Sequence, residues 1–168
     1  MTQNIKLPDS LDTKYLAALI YGEASVSANE VSEEMKAIGW IVRNRYEHVD
    51  TDYGAKDKKW YGTGTSYRSI IEHENEFIAA DGPRYDSFLK ALPFVTNKKE
   101  IDFAQNCIKA AESVIKGEQP DIPGRDGSYP YIWFQRGKTS PNKRRAVAEP
   151  ARIGVHYFWS FAEGKEEG

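Results

Sequence analysis

The chain has 168 residues, with 23 Lys+Arg against 25 Asp+Glu and 40% hydrophobic residues. That length bounds a single domain, spanning 1–168, which can bury its own core without disulfides or a structural metal. Balanced charge excludes the electrostatic footprint of a general nucleic-acid binder, no apolar run is long enough for a membrane span, and the single Cys107 leaves no disulfide and no cysteine zinc cluster.

In chain order, Met1 to Lys6 lack the basic-then-apolar pattern of a secretory leader, so the expectation is a chain made in the cytoplasm that stays there, leaves by a route needing no cleaved leader, or has had its leader removed. A first helix is expected from about Ser10 or Asp12 to Ala24, with Leu16, Leu19 and Ile20 as its apolar stripe. A second is expected from about Glu30 to Tyr46, opened by a capping-box spacing of Ser27 and Glu30 and striped by Met35, Ile38, Ile41 and Val42. A long polar loop, Glu47 to Ser66, carries Trp60 and Tyr61. Short helices follow at Tyr67–His73 and at Pro83–Leu92, the latter with proline at its first position. The clearest helix starts after Asn97, which with Glu100 has capping-box spacing, carries Ile101, Ala104, Ile108, Ala111 and Ile115, and stops at Gly117. Beyond Glu118–Gly127, rich in Gly, Pro and Asp, an aromatic run from Tyr129 to Phe134 and an alternating segment from Arg152 to Phe161 are expected to pair as a hairpin across a basic loop. The expected class is mostly α (α+β), a helical domain with a small C-terminal β-hairpin.

Glu23 breaks the bland pattern. It lies three, four and seven residues after Ile20, Leu19 and Leu16, and so shares their face. A carboxyl aimed inward at a helix C-terminus meets two effects of one sign, desolvation and the helix dipole, and both are expected to raise its pKa. An acid held protonated near neutral pH is what general-acid catalysis uses. The plain alternative is a glutamate that reaches solvent or pairs with Arg43 or Arg45.

Two segments, Leu19-Ile20-Tyr21-Gly22-Glu23-Ala24 and Met35 to Arg45 ending in Asn44-Arg45, resemble the cell-wall hydrolase family that includes the spore cortex-lytic enzyme. Weaker echoes follow at Glu76-Phe77, at Asp81-Gly82, in the helix–Gly117–Pro120 segment, in Tyr129 to Phe134 and in Ile153-Gly154-Val155-His156-Tyr157-Phe158. Together they run from about Tyr15 to Phe158. The chain departs from the family where Ala24 is followed by Ser25-Val26-Ser27 in place of Arg-Gly-Glu, and where Glu76 replaces a glutamine. About three extra residues in that loop place Glu30 at the family's second glutamate.

The resemblance implies a lysozyme-like fold. It also implies cleavage of the β-1,4 bond between N-acetylmuramic acid and N-acetylglucosamine in peptidoglycan, in most members as a lytic transglycosylase. Glu23 would then be the catalytic acid, returning as base while the muramyl 6-hydroxyl closes a 1,6-anhydro ring. A hydrolytic muramidase would need a second carboxylate, about 5–5.5 Å away for retention or about 6.5–9.5 Å for inversion. Glu30, Glu74 and Glu76 are the candidates. Tyr129, Tyr131 and Trp133 are candidates either for a sugar-binding floor or for core, and Trp60 for glycan stacking. His156 is a candidate for the groove or for a structural hydrogen bond.

No cofactor or metal is expected. His48, His73 and His156 lack the ligand spacing of a zinc amidase. The expected partners are glycan strands and, for an antibacterial effector or phage lysin acting in the periplasm or wall, a cognate immunity protein. The remaining alternative is a non-catalytic glycan- or partner-binding module.

Overall fold

The computed structural model describes residues 6–26, 30–74, 76–90, 97–118 and 129–168. The expected Ser27 cap, Pro120 and the Asp121–Gly127 stretch lie outside them. The described residues form mostly helix with a small antiparallel sheet, an α+β arrangement.

Helix α1 (Leu11–Glu23) begins where Ser10 Oγ accepts the Thr13 N–H. It is the central helix, packed against α2 (Glu33–Val49), α4 (Tyr67–Ile71), α5 (Pro83–Leu89) and α6 (Lys98–Lys116). Leu16 through Tyr21 are all buried, so the expected stripe is an enclosed helix instead. Ala17 and Ala18 explain the difference, because their small side chains let neighbours close over the faces that a stripe would leave open. Burying each of Leu16, Leu19 and Ile20 contributes about 1.5–3 kcal/mol.

Helix α2 starts later than expected, capped by Ser32, whose Oγ accepts the Met35 N–H at 3.2 Å. It also runs on to Val49, three residues past Tyr46. The expected loop after it is partly helical, with a 3₁₀ turn (Ala55–Asp57) leading into α3 (Lys58–Tyr61). Helix α6 has the expected bounds: Asn97 accepts from Lys99 N–H, and Gly117 closes the helix at φ 74°. Glu100 does not complete a capping box there. It accepts hydrogen bonds from the Tyr21 hydroxyl and the Arg84 guanidinium, joining α6 to α1 and α5.

The sheet has the order β1 (Tyr131–Gln135), β3 (His156–Ser160), β2 (Ala151–Ile153). The segment expected as one strand folds back on itself at Gly154-Val155, with Gly154 at φ 64° and Ile153 facing His156 across the turn. This turn breaks the expected alternation. Val155 is exposed, while His156 and Phe158 point inward. On the partner strand an irregularity between Tyr131 and Trp133 lets Tyr131, Ile132 and Trp133 all be buried.

Candidate active site

Two residues at the end of α2 place β1 over the helices. Asn44 Nδ2 donates to the carbonyls of Tyr129 and Tyr131, at 2.6 and 2.8 Å. Arg45 Nε donates to the Ile132 carbonyl at 2.8 Å. Arg45 is 3% exposed, and its guanidinium lies 4.7 Å from the Tyr61 ring centre and 4.8 Å from that of Phe77. Its remaining fork carries the charge to Glu76 Oε2 at 3.0 Å. Burial pushes the Arg45 pKa down and Glu76 opposes that shift; a buried guanidinium is tolerated because it is paired and its donors are used.

Between α1 and β1 opens a cleft of about 430 Å³, lined among others by Glu23, Glu76, Phe134, Gln135, Arg136 and His156. Glu23 ends α1, half-buried, and its Oε1 accepts the Ala79 N–H at 3.1 Å. It makes no ion pair among the described residues. Arg43 bonds instead to Glu47 and to the Val114 and Ile115 carbonyls at the end of α6, and Arg45 to Glu76. Arg43 and Arg45, the two expected partners of Glu23, are therefore engaged elsewhere.

A second cavity of about 370 Å³ is lined by Trp60, Tyr61, Trp133, Asn142, Arg145 and again Glu76. Glu76 borders both spaces, which makes them neighbouring parts of one groove. Trp60 is 56% exposed, with the Lys59 ammonium over one side of its ring at 5.3 Å from the centre. Behind this cavity His48 Nε2 meets Asp57 Oδ2 at 2.7 Å, and Arg145 reaches the same carboxylate oxygen at 2.9 Å. Arg145 also donates to the carbonyls of Lys165 and Glu166, tying the last residues to this wall.

The structure thus brings Glu23, Glu76 and His156 to one cleft, with Trp60 and Trp133 beside it. Four of the residues expected at the site are elsewhere, Glu74 among them in a separate cavity with Arg68 and His73. Glu30 is exposed and lines neither cavity, because α2 begins at Glu33 and the inward carboxylate is Glu34. Tyr129 and Tyr131 are core residues, Tyr129 stacked on Trp40 and Tyr131 packed on Phe158. Asn44 grips their backbone, and so the aromatic run enters the sheet with these rings turned inward.

Glu34, which the sequence did not mark, is 4% exposed. It accepts the backbone N–H groups of Ser25 and Val155, each at 2.6 Å, and lies 3.3 Å from His156 Nδ1. Burial alone would push its carboxyl up. The His156 hydrogen bond and the two backbone donors outweigh burial and hold it at about 2. In the sequence it is the second of two adjacent acids in a first helical turn, where a favourable dipole contact is the ordinary reading. The other two histidines have separate partners, His48 with Asp57 and His73 with the Lys59 carbonyl. Among the described residues no cluster of His, Cys, Asp or Glu is arranged to hold a metal.

No family model, curated protein or solved structure matches this chain.

Proposed function

We propose that the protein cleaves peptidoglycan glycan strands between N-acetylmuramic acid and N-acetylglucosamine, as a lytic transglycosylase with Glu23 as proton donor. One observation carries the reading: a carboxyl with no ion-pair partner among the described residues, at the C-terminal end of an enclosed helix, opening into a groove with aromatic side chains along it. The Ala79 N–H holds Oε1, and Oε2 has no hydrogen-bond partner among the described residues, so it is placed to address a ligand. The resemblance of Leu19–Ala24 and Met35–Arg45 to the cortex-lytic type of cell-wall hydrolase supports the same reading.

In this scheme Glu23, protonated, donates to the bridging oxygen as the bond to the muramyl C1 breaks through an oxocarbenium-like state. The muramyl C6 oxygen then closes on C1, and its proton must be taken up inside the cleft, in the simplest scheme by the same carboxylate. Transglycosylation is favoured over hydrolysis because Glu76, the other carboxylate in the cleft, is tied to Arg45. A hydrolytic partner would have to hold a water or attack C1. Trp60 offers an exposed apolar ring for a sugar on the far side of Glu76, in a cavity whose lining includes the largely buried Trp133.

Muropeptide analysis of digested sacculi tests this, with wild type and Glu23→Gln side by side. The expected result is release of anhydro-muropeptides by wild type and a loss of about 10²–10⁴-fold in the variant. Reducing ends with added water would make the enzyme a hydrolytic muramidase. Unchanged lysis by Glu23→Gln would leave a glycan- or partner-binding module. The biological setting proposed with it is an antibacterial effector or phage lysin. Expression directed to the periplasm of a bacterial host should lyse cells, expression in the cytoplasm should not, and a cognate immunity protein should block the groove.

A further inference from the structure

A further ionisable side chain lines the cleft beside Glu23 and Glu76. His156 opens β3, is 1% exposed and lines the cleft wall. Phe134 meets its ring edge-on at 5.2 Å and Phe158 at 6.3 Å, so the imidazole stands in an aromatic cage. The ring is held from behind by Glu34, at 3.3 Å from Nδ1. Because its environment keeps Glu34 ionised down to about pH 2, this carboxylate can only accept, and Nδ1 must carry the hydrogen between them. In the neutral ring Nε2 is then the bare nitrogen, and it has no hydrogen-bond partner among the described residues. A latch that served only to fasten β3 to α2 would have no use for an unpartnered nitrogen on a residue that lines the cleft. The other charged groups lining that cleft are Glu23 from α1, Glu76 from the segment before the 3₁₀ turn at Ile78–Asp81, and Arg136 just past β1.

We infer that Glu34 and His156 work as a unit in which Glu34 is a positioning residue that fixes the tautomer and His156 Nε2 is the base for the C6 hydroxyl. The assignment rests on the glycan-cleavage reading and replaces its simplest scheme at one step. The bond from muramyl C1 to the bridging oxygen breaks, and that oxygen takes the Glu23 proton. The bond from C6 oxygen to C1 forms, and the C6 proton goes to Nε2. After product leaves, the imidazolium proton returns through solvent to the Glu23 carboxylate, so no net proton or electron is exchanged. Dividing donation and uptake between two groups frees Glu23 from serving first as acid and then as base.

The test uses the full chain with peptidoglycan strands. His156→Gln keeps a polar group of similar reach but is no base. Its kcat should fall by about 10²-fold or more with KM little changed. The low-pH limb of the kcat/KM profile, where the base must lose its proton, should disappear as well. Wild-type kcat, or a fall in kcat with that limb intact, would overturn the assignment. A measurement on the unmutated protein stands beside it: ¹⁵N spectra of labelled histidine should show the neutral ring with hydrogen on Nδ1, and hydrogen on Nε2 would equally overturn it. If wild type releases no anhydro-muropeptides, the glycan-cleavage reading falls and this step with it. If it releases them in a Glu23-dependent way that ignores His156, only this step falls.

Discussion

Glu34 shows how much one side chain can hold at this site. Its carboxyl is held at about 2 against an ordinary 4.5, a difference corresponding to roughly 3 kcal/mol of folding stability as an upper figure. The folded-state pKa is depressed, so this contribution is fully present above about pH 4.5 and is lost as pH falls toward 2. Denaturant unfolding at pH 7, 4.5 and 3 should therefore show a stability loss in wild type that Glu34→Gln lacks, and Glu34→Gln should already be less stable at pH 7. Equal pH dependence in the two proteins would count against the assignment of these bonds. Nothing in the sequence distinguishes Glu34 from Glu33, because its partners Ser25, Val155 and His156 lie on other elements, one of them 122 positions away. Glu23 was legible because its neighbours on the helix face are local: Leu16, Leu19 and Ile20 already fix the direction of its side chain.

Helices α1 and α6 could be read from spacing and caps, because 3.6-residue periodicity and an N-terminal Ser10 or Asn97 are local signals. The sheet was only partly legible. Alternation in Arg152–Phe161 suggested a strand, but Gly154 adopts φ 64° and starts a turn, so Val155 is exposed and His156 and Phe158 turn inward beside the buried Trp159. A Cβ at position 154 would collide with the Glu34 carboxylate as well as strain the backbone. Gly154→Ala should therefore be destabilising and should also disturb His156. Comparing its thermal unfolding with its cleavage rate should show both falling. At the other edge of the sheet, Asn44→Ala leaves the carbonyls of Tyr129 and Tyr131 without their donor. An expected cost of about 2–3 kcal/mol corresponds to roughly 5–10 °C in Tm; calorimetry showing no change would mean that Asn44 does not fasten β1.

At the scale of the whole molecule, the two cavities meeting at Glu76 give the groove a direction, from the Glu23 cleft toward Trp60. A glycan long enough to occupy both should be cleaved better than one filling only the first. Because Trp60 is exposed, Trp60→Ala should raise KM for long strands with little effect on Tm or on short substrates. Equal loss on short and long substrates would place sugar binding elsewhere. Arg45 separates these spaces from the core while gripping the Ile132 carbonyl on one wall and Glu76 on the other. The position of Glu76 between the two spaces is therefore set by one buried, planar guanidinium rooted in α2. Variation in the 136–150 connection should alter which polymers linger at the Trp60 end while leaving untouched the choice of linkage that is cut.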